Sequence, residues 1–541
     1  MSVKEIFRVG NAARAWLIFV LLAAAVVAIS TLLQLNRPSD GLKSFAWFVL
    51  FGGAAILLDH KFFLNKRRIA WSVFCVVFIV DLAVQGVVRQ FFGATPSPAI
   101  VAQAIQNTNP NEAKNFILEQ LSAISWSLVF LVLSFALVYV FNKKYLQSVS
   151  EVLSRIKPRV LMLLGAAVVA LHFNPTMLRQ QPFLRWGVVL VRNIEAQKEV
   201  AQAKAMRSAI EQTAANWNVV SEESDKTVVL VIGESSNRNN WGHYGYPRGT
   251  TLPLENTLKN LSGETIWFTQ AKSSAAFTLP SLEKAFTPAN IDHPDDWKKY
   301  PDVFMLAKQA GYNITWLSNQ PGTEGWISTL GNSADEHAFI NNGNWRDSSS
   351  TDMELLPKLK SHLDKPAPKK ELIVLHVLGQ HFHYQLRCPV GVAPYSGIDD
   401  DEVMSAMKAA GRSSGIRGTR NDYDNSVYCG AMFLSEVLNQ VNEMRPQRNI
   451  SLVYFSDHGQ EVGHTEDFAG HSESSEQGYT IPLFVWQNQP AGHMGREAFY
   501  KEPFSLDNFE QLLQHTLGIR SEWYDKNLDP TQSTSYPKIT P

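Results

Sequence analysis

The chain has 541 residues, which is too long for one ordinary domain. Its 49 lysines and arginines nearly balance 50 acidic residues, giving a formal net charge of −1. This balance argues against a nucleic-acid-binding surface as the main function, and no nucleic-acid partner is expected. Nearly all extended apolar stretches precede Asn174, so the composition predicts a membrane region followed by a soluble α/β region.

Five stretches of the first region are candidates for membrane-spanning helices, because about 20 apolar residues are needed to cross the hydrocarbon core. They cover residues 15–36, 44–58, 69–88, 121–142 and 160–173. The stretch 160–173 is the shortest, and a buried core helix is the alternative for it. A cleaved signal peptide does not explain the first stretch, because four more follow it.

Basic residues between these stretches predict the orientation of the chain. They precede the first stretch, separate the second from the third, and separate the fourth from the fifth. The three groups are Lys4, Arg8 and Arg14; Lys61, Lys66, Arg67 and Arg68; and Lys143, Lys144, Arg155, Lys157 and Arg159. Placing all three in the cytoplasm satisfies the positive-inside rule with an odd number of spans. The N-terminus is then cytoplasmic, and the chain after the fifth span is periplasmic or its equivalent.

Three regions follow from this organisation. Residues 1–174 are predicted to form a five-span transmembrane domain with one long periplasmic loop at 92–120. Residues 175–225 are predicted to form amphipathic bridging helices at the membrane interface, with a plain linker helix as the alternative. Residues 226–541 are predicted to form a periplasmic α/β domain with a mostly parallel central sheet, because strand-like and helix-like segments alternate.

The elements of this α/β domain are predicted from apolar runs and helical spacing. Strands are predicted at residues 227–232, 313–318, 371–378, 451–455 and 481–486. Helices are predicted at residues 252–261, 302–310, 355–363 and 428–442. In such sheets, ligands collect beyond the C-terminal ends of the strands.

Carboxylate and imidazole groups stand directly after two of these strands. Glu234 follows Val-Val-Leu-Val-Ile-Gly, and Asp457 and His458 follow Leu-Val-Tyr-Phe-Ser. Such groups around one point are suited to hold a divalent metal ion. The alternatives are that Glu234 is a helix cap or turn residue and that Asp457 and His458 form a structural pair.

Thr278 is the candidate nucleophile. Threonine is favoured as an N-cap, and Pro280 fits the first turn of the helix that Thr278 is predicted to cap. A helix N-terminus and a nearby metal ion both favour negative charge on the hydroxyl oxygen. The alternatives are a capping role alone for Thr278, or a nucleophile among Ser273, Ser274 and Ser281.

Histidines and cysteines add to this picture. Histidines cluster in the later half of the chain, and their frequency near predicted strand ends indicates phosphate or metal contacts. They are His376, His381, His383, His458, His464 and His471. Cys388 and Cys429 both lie in the predicted periplasmic region, where an oxidising environment permits a disulfide, but the sequence leaves their pairing open.

The motifs taken together resemble those of the bacterial envelope phosphoethanolamine transferases, which belong to the alkaline phosphatase/sulfatase superfamily. The resemblance covers nearly the whole chain. It is carried by Val-Ile-Gly-Glu234-Ser, Tyr244-Gly-Tyr-Pro-Arg-Gly-Thr-Thr, Phe277-Thr278, Gly379-Gln-His381, Tyr423-Asp-Asn-Ser, Phe-Ser-Asp457-His458-Gly and Thr108-Asn-Pro-Asn-Glu112-Ala. Three departures from the usual family pattern together place the chain outside the best-known lipid A branch. Gln460 follows Asp-His-Gly where many members carry glutamate, Thr-Thr-Leu-Pro replaces the usual Thr-Thr-Pro, and the soluble region has two cysteines where many members have more.

The resemblance implies specific roles for residues of this chain. The zinc ligands it implies are Glu234, Thr278, Asp457 and His458, with Thr278 also the phosphate acceptor. His381 and His471 match histidines that contact the phosphoryl group or a second zinc ion, and Asn319 corresponds to a polar residue near the ethanolamine or phosphate. A register counted from the later proline would place Ala275 at the nucleophile position, whereas the spacing from Phe268 and the Phe-Thr pair favour Thr278.

The function implied is transfer of phosphoethanolamine from phosphatidylethanolamine to an envelope glycolipid or glycan, through a phospho-threonine formed with the help of one tightly bound zinc ion. Lipid A, a lipopolysaccharide core sugar and a periplasmic glucan all stay open as acceptors. The alternatives are a phosphoglycerol transferase, phosphodiesterase or sulfatase of the same superfamily, or a catalytically silent lipid-binding membrane protein. The expected location is the bacterial inner membrane.

Overall fold

The computed structural model describes residues 3–33, 38–62, 68–92, 121–173, part of 177–191, and 205–531 apart from 223, 323–324, 342–350, 400 and 490–496. These residues form two compact units, one within residues 1–196 and the other from residue 197 onward. The predicted periplasmic loop 92–120, apart from Phe92, lies outside the described residues, and so does part of the predicted bridging region 175–225, including residues 192–204.

Helices make up the first unit. They are α1 (Val3–Leu33), α2 (Pro38–Phe62), α3 (Ile69–Phe92), α4 (Leu121–Lys144), α5 (Leu146–Ser154) and α6 (Pro158–His172). Among the described residues, α1 to α4 are long and apolar enough to cross a membrane. The fifth predicted span is not confirmed, because α6 has 15 residues. At 1.5 Å per residue such a helix is about 22 Å long, short of a core of about 30 Å.

Aromatic side chains and one buried carboxylate pack the first unit together. Phe48 lies edge-on to Phe78 with ring centroids 5.2 Å apart and to Trp71 at 6.1 Å. Asp59, near the end of α2, accepts hydrogen bonds of 2.9 Å from the backbone N–H groups of Ala70 and Trp71. These are N–H groups of the first turn of α3, so Asp59 caps that helix from the preceding one.

An eight-stranded sheet forms the centre of the second unit. Its strands in chain order are β1 (Lys226–Gly233), β2 (Glu264–Phe268), β3 (Asn313–Ser318), β4 (Glu336–Phe339), β5 (Lys370–His376), β6 (Asn449–Ser456), β7 (Leu483–Gln487) and β8 (Glu497–Tyr500). Their order across the sheet is β8-β2-β7-β6-β1-β5-β3-β4. Three short pairings lie outside it: Val220–Ser221 with Ile519–Arg520, Ala469–Gly470 with Glu461–Val462, and Phe504–Ser505 with Ala271–Lys272.

The sheet is mixed, where the sequence predicted a mostly parallel one. Strands β6, β1, β5, β3 and β4 pair in parallel, and β8 is parallel to β2. Strand β7 is antiparallel to both of its neighbours, β6 and β2. A parallel strand needs a crossover back to the opposite edge, and the segment between β6 and β7 contains only short strands and one short 3₁₀ helix. Strand β7 therefore starts at the edge where β6 ends and runs the other way.

Helices cover both faces of the sheet. Val228, Leu230 and Ile232 of β1 belong to one apolar core, and Val229 and Val231 to another, because successive side chains of a strand point to opposite faces. The first core is closed by α8 (Thr278–Ala285), α9 (Val303–Gln309), α10 (Gly325–Asn332) and α14 (Phe509–Leu517), and the second by α7 (Leu252–Asn260), α11 (Leu356–Leu363) and α13 (Ser414–Met444). Helix α12 (Glu402–Ala409) packs on α13.

A disulfide joins Cys388 to Cys429, with Cα atoms 5.5 Å apart. The pairing that the sequence left open is therefore present in the structure. It ties the segment that follows β5 to the middle of α13. Cys75, in the apolar helix α3, is a buried free cysteine.

At the amino-terminal end of β5, a buried ionic network surrounds Glu371. The Glu371 carboxylate accepts hydrogen bonds from Thr227 Oγ1 at 2.8 Å and from Arg445 Nη2 at 3.1 Å, and lies 3.0 Å from His362 Nε2. Burial alone would raise the pKa of Glu371, but the hydrogen bonds from these three residues and the charge of Arg445 lower it to about 2.

We expect this network to make folding sensitive to acid. The pKa of Glu371 is lower in the folded chain than its ordinary value of 4.5, so its contribution is present above about pH 4.5 and is lost as the pH falls towards 2. The difference corresponds to about 3 kcal/mol of unfolding free energy. Chemical unfolding of the detergent-purified chain should show that Glu371→Gln is less stable at neutral pH and loses less stability on acidification. Parallel pH profiles for the two proteins would contradict the assignment.

Candidate active site and metal centre

The two carboxylates meet because β1 and β6 pair in parallel with Gly233 opposite Ser456. The next residue on each strand, Glu234 and Asp457, therefore leaves the sheet at the same edge. His458 follows Asp457, and ligand atoms of these three residues lie within 4.8 Å of one another. All three side chains are buried. Residues from strand ends 223 positions apart thus converge where the sequence analysis expected a site.

Glycine is required on both sides of this convergence. A Cβ on Gly459 would lie 2.2 Å from the carbonyl oxygen of Gln477 and 2.6 Å from that of Thr480. Gly379 has a φ of +52°, and a Cβ there would lie 2.7 Å from the carbonyl oxygen of Glu234. The loops after β6 and β5 therefore pass close to neighbouring backbone in a way that other residues would prevent.

Hydrogen bonds leave the imidazole nitrogen of His458 facing the carboxylates. Its Nδ1 lies 2.7 Å from the carbonyl oxygen of Gly459, which can only accept, so Nδ1 carries a proton. Its Nε2 lies 3.2 Å from Glu234 Oε1 and 3.5 Å from Asp457 Oδ2. Neither Nε2 nor Asp457 Oδ2 makes a hydrogen bond of good geometry with the described residues.

These buried atoms require a positive charge. Burial, and then the charge of Glu234, raise the pKa of Asp457. Burial also acts to raise the pKa of Glu234, but the hydrogen bond and charge of His458 outweigh it and lower that pKa. Two carboxylates in one buried place repel each other unless a positive charge lies between them, and either a proton on His458 Nε2 or a bound cation supplies that charge. The oxygen and nitrogen donors present are those that Zn²⁺ prefers, so these residues fit a zinc ion.

Thr278 lies at the open side of this cluster. Its Oγ1 donates a hydrogen bond of 3.2 Å to Glu234 Oε2, and its side chain is half-buried. The predicted capping role is wrong by one position: Phe277 is the N-cap, with extended backbone and no capping side chain, and Thr278 is the first helical residue of α8. The hydroxyl of Thr278 is therefore turned to Glu234 instead of to the helix backbone.

The competing serines have other contacts. Ser281 Oγ donates to the carbonyl oxygen of Asp457 at 2.5 Å, and Ser273 Oγ donates to the carbonyl oxygen of Ala275 at 2.7 Å. Ser274 Oγ is buried and has no hydrogen-bond partner among the described residues. No distance places Ser273 or Ser274 at the carboxylates, whereas Thr278 contacts one of them directly.

Histidines His381 and His471 lie beside the cluster. The rings of His471 and His458 have centroids 4.6 Å apart, and His471 stacks on Phe277 at 5.2 Å. His471 Nδ1 lies 3.3 Å from the carbonyl oxygen of Ala276. Burial, and then His458, lower the pKa of His471 to about 3. Burial lowers the pKa of His381 to about 4 although the charge of Glu234 raises it, which places His381 near the same carboxylate.

The other predicted site residue, Asn319, lies at the end of β3 and is fully buried. Its Nδ2 donates to Asp352 Oδ1 at 2.8 Å. Asp352 also accepts from the backbone N–H groups of Leu378 and Gly379, at 2.8 and 2.9 Å. In the structure Asn319 thus belongs to a network that supports the loop behind Glu234, and the sequence analysis missed Asp352 because no strand end or motif marks it.

Comparison with known proteins agrees with this architecture. A family model described as sulfatase matches residues 226–519, which is more than half of the chain. The chain belongs to the sulfatase family. The family match covers β1 to β8 and every residue of the buried cluster. The resemblance found in the sequence motifs is therefore confirmed at the level of the family.

Several proteins similar to this chain are named phosphoethanolamine transferases. Phosphoethanolamine transferase EptC of Escherichia coli (strain K12) is 30% identical over 337 residues, covering 60% of this chain and 56% of the relative. The C-terminal periplasmic domain of EptC from Escherichia coli, solved in complex with Zn, has a TM-score of 0.53 and 27% identity over 60% of this chain and 91% of that chain. The chain thus spans little more than half the length of its curated relative.

The fold similarity extends beyond the sulfatase domain. The integral membrane protein lipooligosaccharide phosphoethanolamine transferase A from Neisseria meningitidis has a TM-score of 0.61 and 18% identity over 96% of this chain and 98% of that chain. At this identity the comparison concerns the fold alone. It agrees with a chain that combines apolar N-terminal helices and a C-terminal sulfatase-like domain.

Zinc binding is testable on the cluster itself. We expect Asp457→Asn to weaken Zn²⁺ binding at least about 100-fold. Changes to residues that only hydrogen-bond to a metal ligand weaken binding by up to about 100-fold, and loss of a ligand itself should cost no less. Competition with a chromophoric chelator on the detergent-purified chain measures this affinity. Glu510→Gln is the matched control, because Glu510 is a buried acid in α14, outside the cluster, and burial raises its pKa well above the ordinary value. Equal zinc affinity in the two variants would contradict the metal centre.

Proposed function

We propose that this protein transfers phosphoethanolamine from phosphatidylethanolamine to an envelope glycolipid or glycan, with lipid A or lipopolysaccharide core as the preferred acceptor class. The observation that carries the proposal is the contact of 3.2 Å between Thr278 Oγ1 and Glu234 Oε2 at the open side of a buried Glu-Asp-His cluster. The motif resemblance and the phosphoethanolamine transferases among its relatives support the choice of head group.

Zinc belongs to this proposal. Glu234, Asp457 and His458 would hold the ion, and Thr278 would complete the set of four ligands; a second ion beside His381 and His471 stays open. When bound, Zn²⁺ acts as a Lewis acid that lowers the pKa of the hydroxyl it contacts and stabilises negative charge on phosphoryl oxygen. The lipid nature of the donor explains why four apolar helices accompany the domain.

The proposed reaction has two displacement steps at phosphorus, and named residues of the chain take part in both. In the first, Thr278 Oγ1 forms a bond to phosphorus, the bond from phosphorus to the diacylglycerol oxygen breaks, and the threonine proton ends on that oxygen. In the second, an acceptor hydroxyl bonds to phosphorus, the Thr278 oxygen leaves, and the acceptor proton returns to it. Glu234 Oε2 orients the hydroxyl by accepting its proton in a hydrogen bond, and His381 and His471 bind the phosphoryl oxygens.

Thr278 is predicted to carry the transferred group. Incubation of the purified chain with phosphatidylethanolamine and without acceptor should add one phosphoethanolamine to Thr278, detected by mass spectrometry of its peptide. Thr278→Ala should abolish this adduct and lower turnover at least about 1,000-fold, because the first displacement has no nucleophile. Ser274→Ala is the control, since Ser274 is a nearby serine whose hydroxyl makes no hydrogen bond with the described residues. An adduct that persists in Thr278→Ala, or that disappears in Ser274→Ala, would contradict the assignment.

The proposed location is the bacterial inner membrane, with the N-terminus in the cytoplasm and the sulfatase domain in the periplasm. The four apolar helices are an even number, which by itself returns the chain to the side of its N-terminus. The positive-inside pattern places the basic group after α4 in the cytoplasm, so a sulfatase domain on the periplasmic side, where an oxidising environment permits the Cys388–Cys429 disulfide, requires one more crossing before residue 205. We infer that α6 makes this crossing despite its 15 residues.

Cysteine labelling tests this topology. Ile291→Cys, at a position 75% exposed, should react with a membrane-impermeant maleimide in intact spheroplasts. Lys61→Cys, at an exposed position in the last turn of α2, should react only after lysis. Cys75 is buried and serves as background. Reaction of both positions on the same side would contradict the odd number of crossings.

A further inference from the structure

Both carboxylates of the cluster are held by one residue, Ser235. Its Oγ donates a hydrogen bond of 2.7 Å to Glu234 Oε1, and its backbone N–H donates one of 3.0 Å to Asp457 Oδ1. Ser235 thus holds one oxygen of each carboxylate, Glu234 Oε1 and Asp457 Oδ1, and it makes no hydrogen bond to the other two, Glu234 Oε2 and Asp457 Oδ2. The spacing of the two acids therefore depends on the conformation of Ser235.

That conformation is unfavourable for serine. Ser235 has a φ of +57°, in the left-handed region that residues with a Cβ rarely adopt, and it is fully buried. Such a conformation persists only where surrounding contacts enforce it. If Ser235 returned to negative φ, the orientation of its N–H relative to its Oγ would change, so the residue could no longer bind Asp457 and Glu234 at the same time.

The contact that enforces the turn comes from Tyr423 on α13. The Tyr423 hydroxyl donates to the carbonyl oxygen of Ser235 at 2.6 Å and accepts from the backbone N–H of Asn237 at 2.8 Å. One side-chain oxygen therefore bridges both ends of the turn. The Tyr423 ring is fully buried and packs edge-on against Tyr384, with centroids 5.1 Å apart. Burial raises the pKa of Tyr423 well above its ordinary value, so the hydroxyl keeps the proton that it donates.

We propose that Tyr423 is a positioning residue that holds the left-handed turn at Ser235 and thereby presets the spacing of Glu234 and Asp457 before a metal ion binds. The inference rests on the proposed function, in which this cluster holds zinc. Tyr423 makes its contacts with the backbone of the turn and acts on the carboxylates only through Ser235. When the carboxylates are already correctly spaced, metal binding does not have to order its own ligands, which lowers the entropic cost of binding. The spacing therefore affects metal retention as well as turnover.

Tyr423→Phe tests the proposal by removing a single oxygen atom. Tyr312→Phe is the matched control: Tyr312 is also buried, its hydroxyl also donates to a main-chain carbonyl, that of Leu517, and it precedes β3, at the edge of the sheet away from the cluster. Both variants should lose similar thermal stability. Only Tyr423→Phe should release zinc to a chelator about tenfold faster and lower kcat, with the KM for the lipid donor changed less than about twofold.

A second variant, Ser235→Ala, removes the hydrogen bond to Glu234 and leaves the Tyr423 hydroxyl in place. It should also speed zinc release, and its effect should not add to that of Tyr423→Phe in the double variant, because both act through one turn. Additive effects would overturn the proposal. So would a Tyr423→Phe variant that releases zinc no faster than Tyr312→Phe.

The outcomes separate this inference from the proposed function. If the wild-type chain holds zinc but transfers no phosphoethanolamine, the proposed function fails, and the zinc release rates still decide the role of Tyr423. If the wild-type chain transfers phosphoethanolamine and Tyr423→Phe retains zinc like the wild type, the positioning role fails alone. If the wild-type chain binds no zinc, both fail.

Discussion

The parallel pairing of β1 with β6, which puts Gly233 opposite Ser456, is the constraint on which the rest of this structure depends. It brings two carboxylates and an imidazole to one buried point, where their mutual repulsion is a cost that a cation removes. The surrounding elements limit that cost. Ser235 binds one oxygen of each carboxylate, and the backbone carbonyl of Gly459 fixes the proton of His458 on the nitrogen that faces away.

Helix α13 supports this edge of the sheet from outside. It carries Tyr423, which bridges the turn at Ser235, and Cys429, whose disulfide to Cys388 anchors the segment after His381. One rigid element thus positions the loop after β1 and the loop after β5. The amino-terminal end of β5 is stabilised in another way, by the buried ionic network of Glu371, Arg445 and His362. Stability and site geometry are consequently supported at opposite ends of β5.

The sequence predicted the long buried strands of the sheet accurately and missed the short outer ones. Residues 313–318 were predicted as a strand with the bounds that the structure has, and β1 and β6 differ from their predictions by one or two residues at each end. These strands are continuous apolar runs buried on both faces. Strands β2, β4 and β8 were missed because they are short and are the outermost strands of the sheet or next to one, where the apolar pattern of the sequence is weak.

The sequence by itself determined the four long apolar helices, the buried strands and the types of side chain at their ends, since these depend on neighbours along the chain. The tertiary structure decided that β7 runs antiparallel, that Cys388 pairs with Cys429, and that Thr278 begins α8 instead of capping it. It also decided the contact of Tyr423 with Ser235, which are 188 residues apart. Such contacts depend on how whole elements pack, and no local pattern encodes the register between segments so distant in the chain.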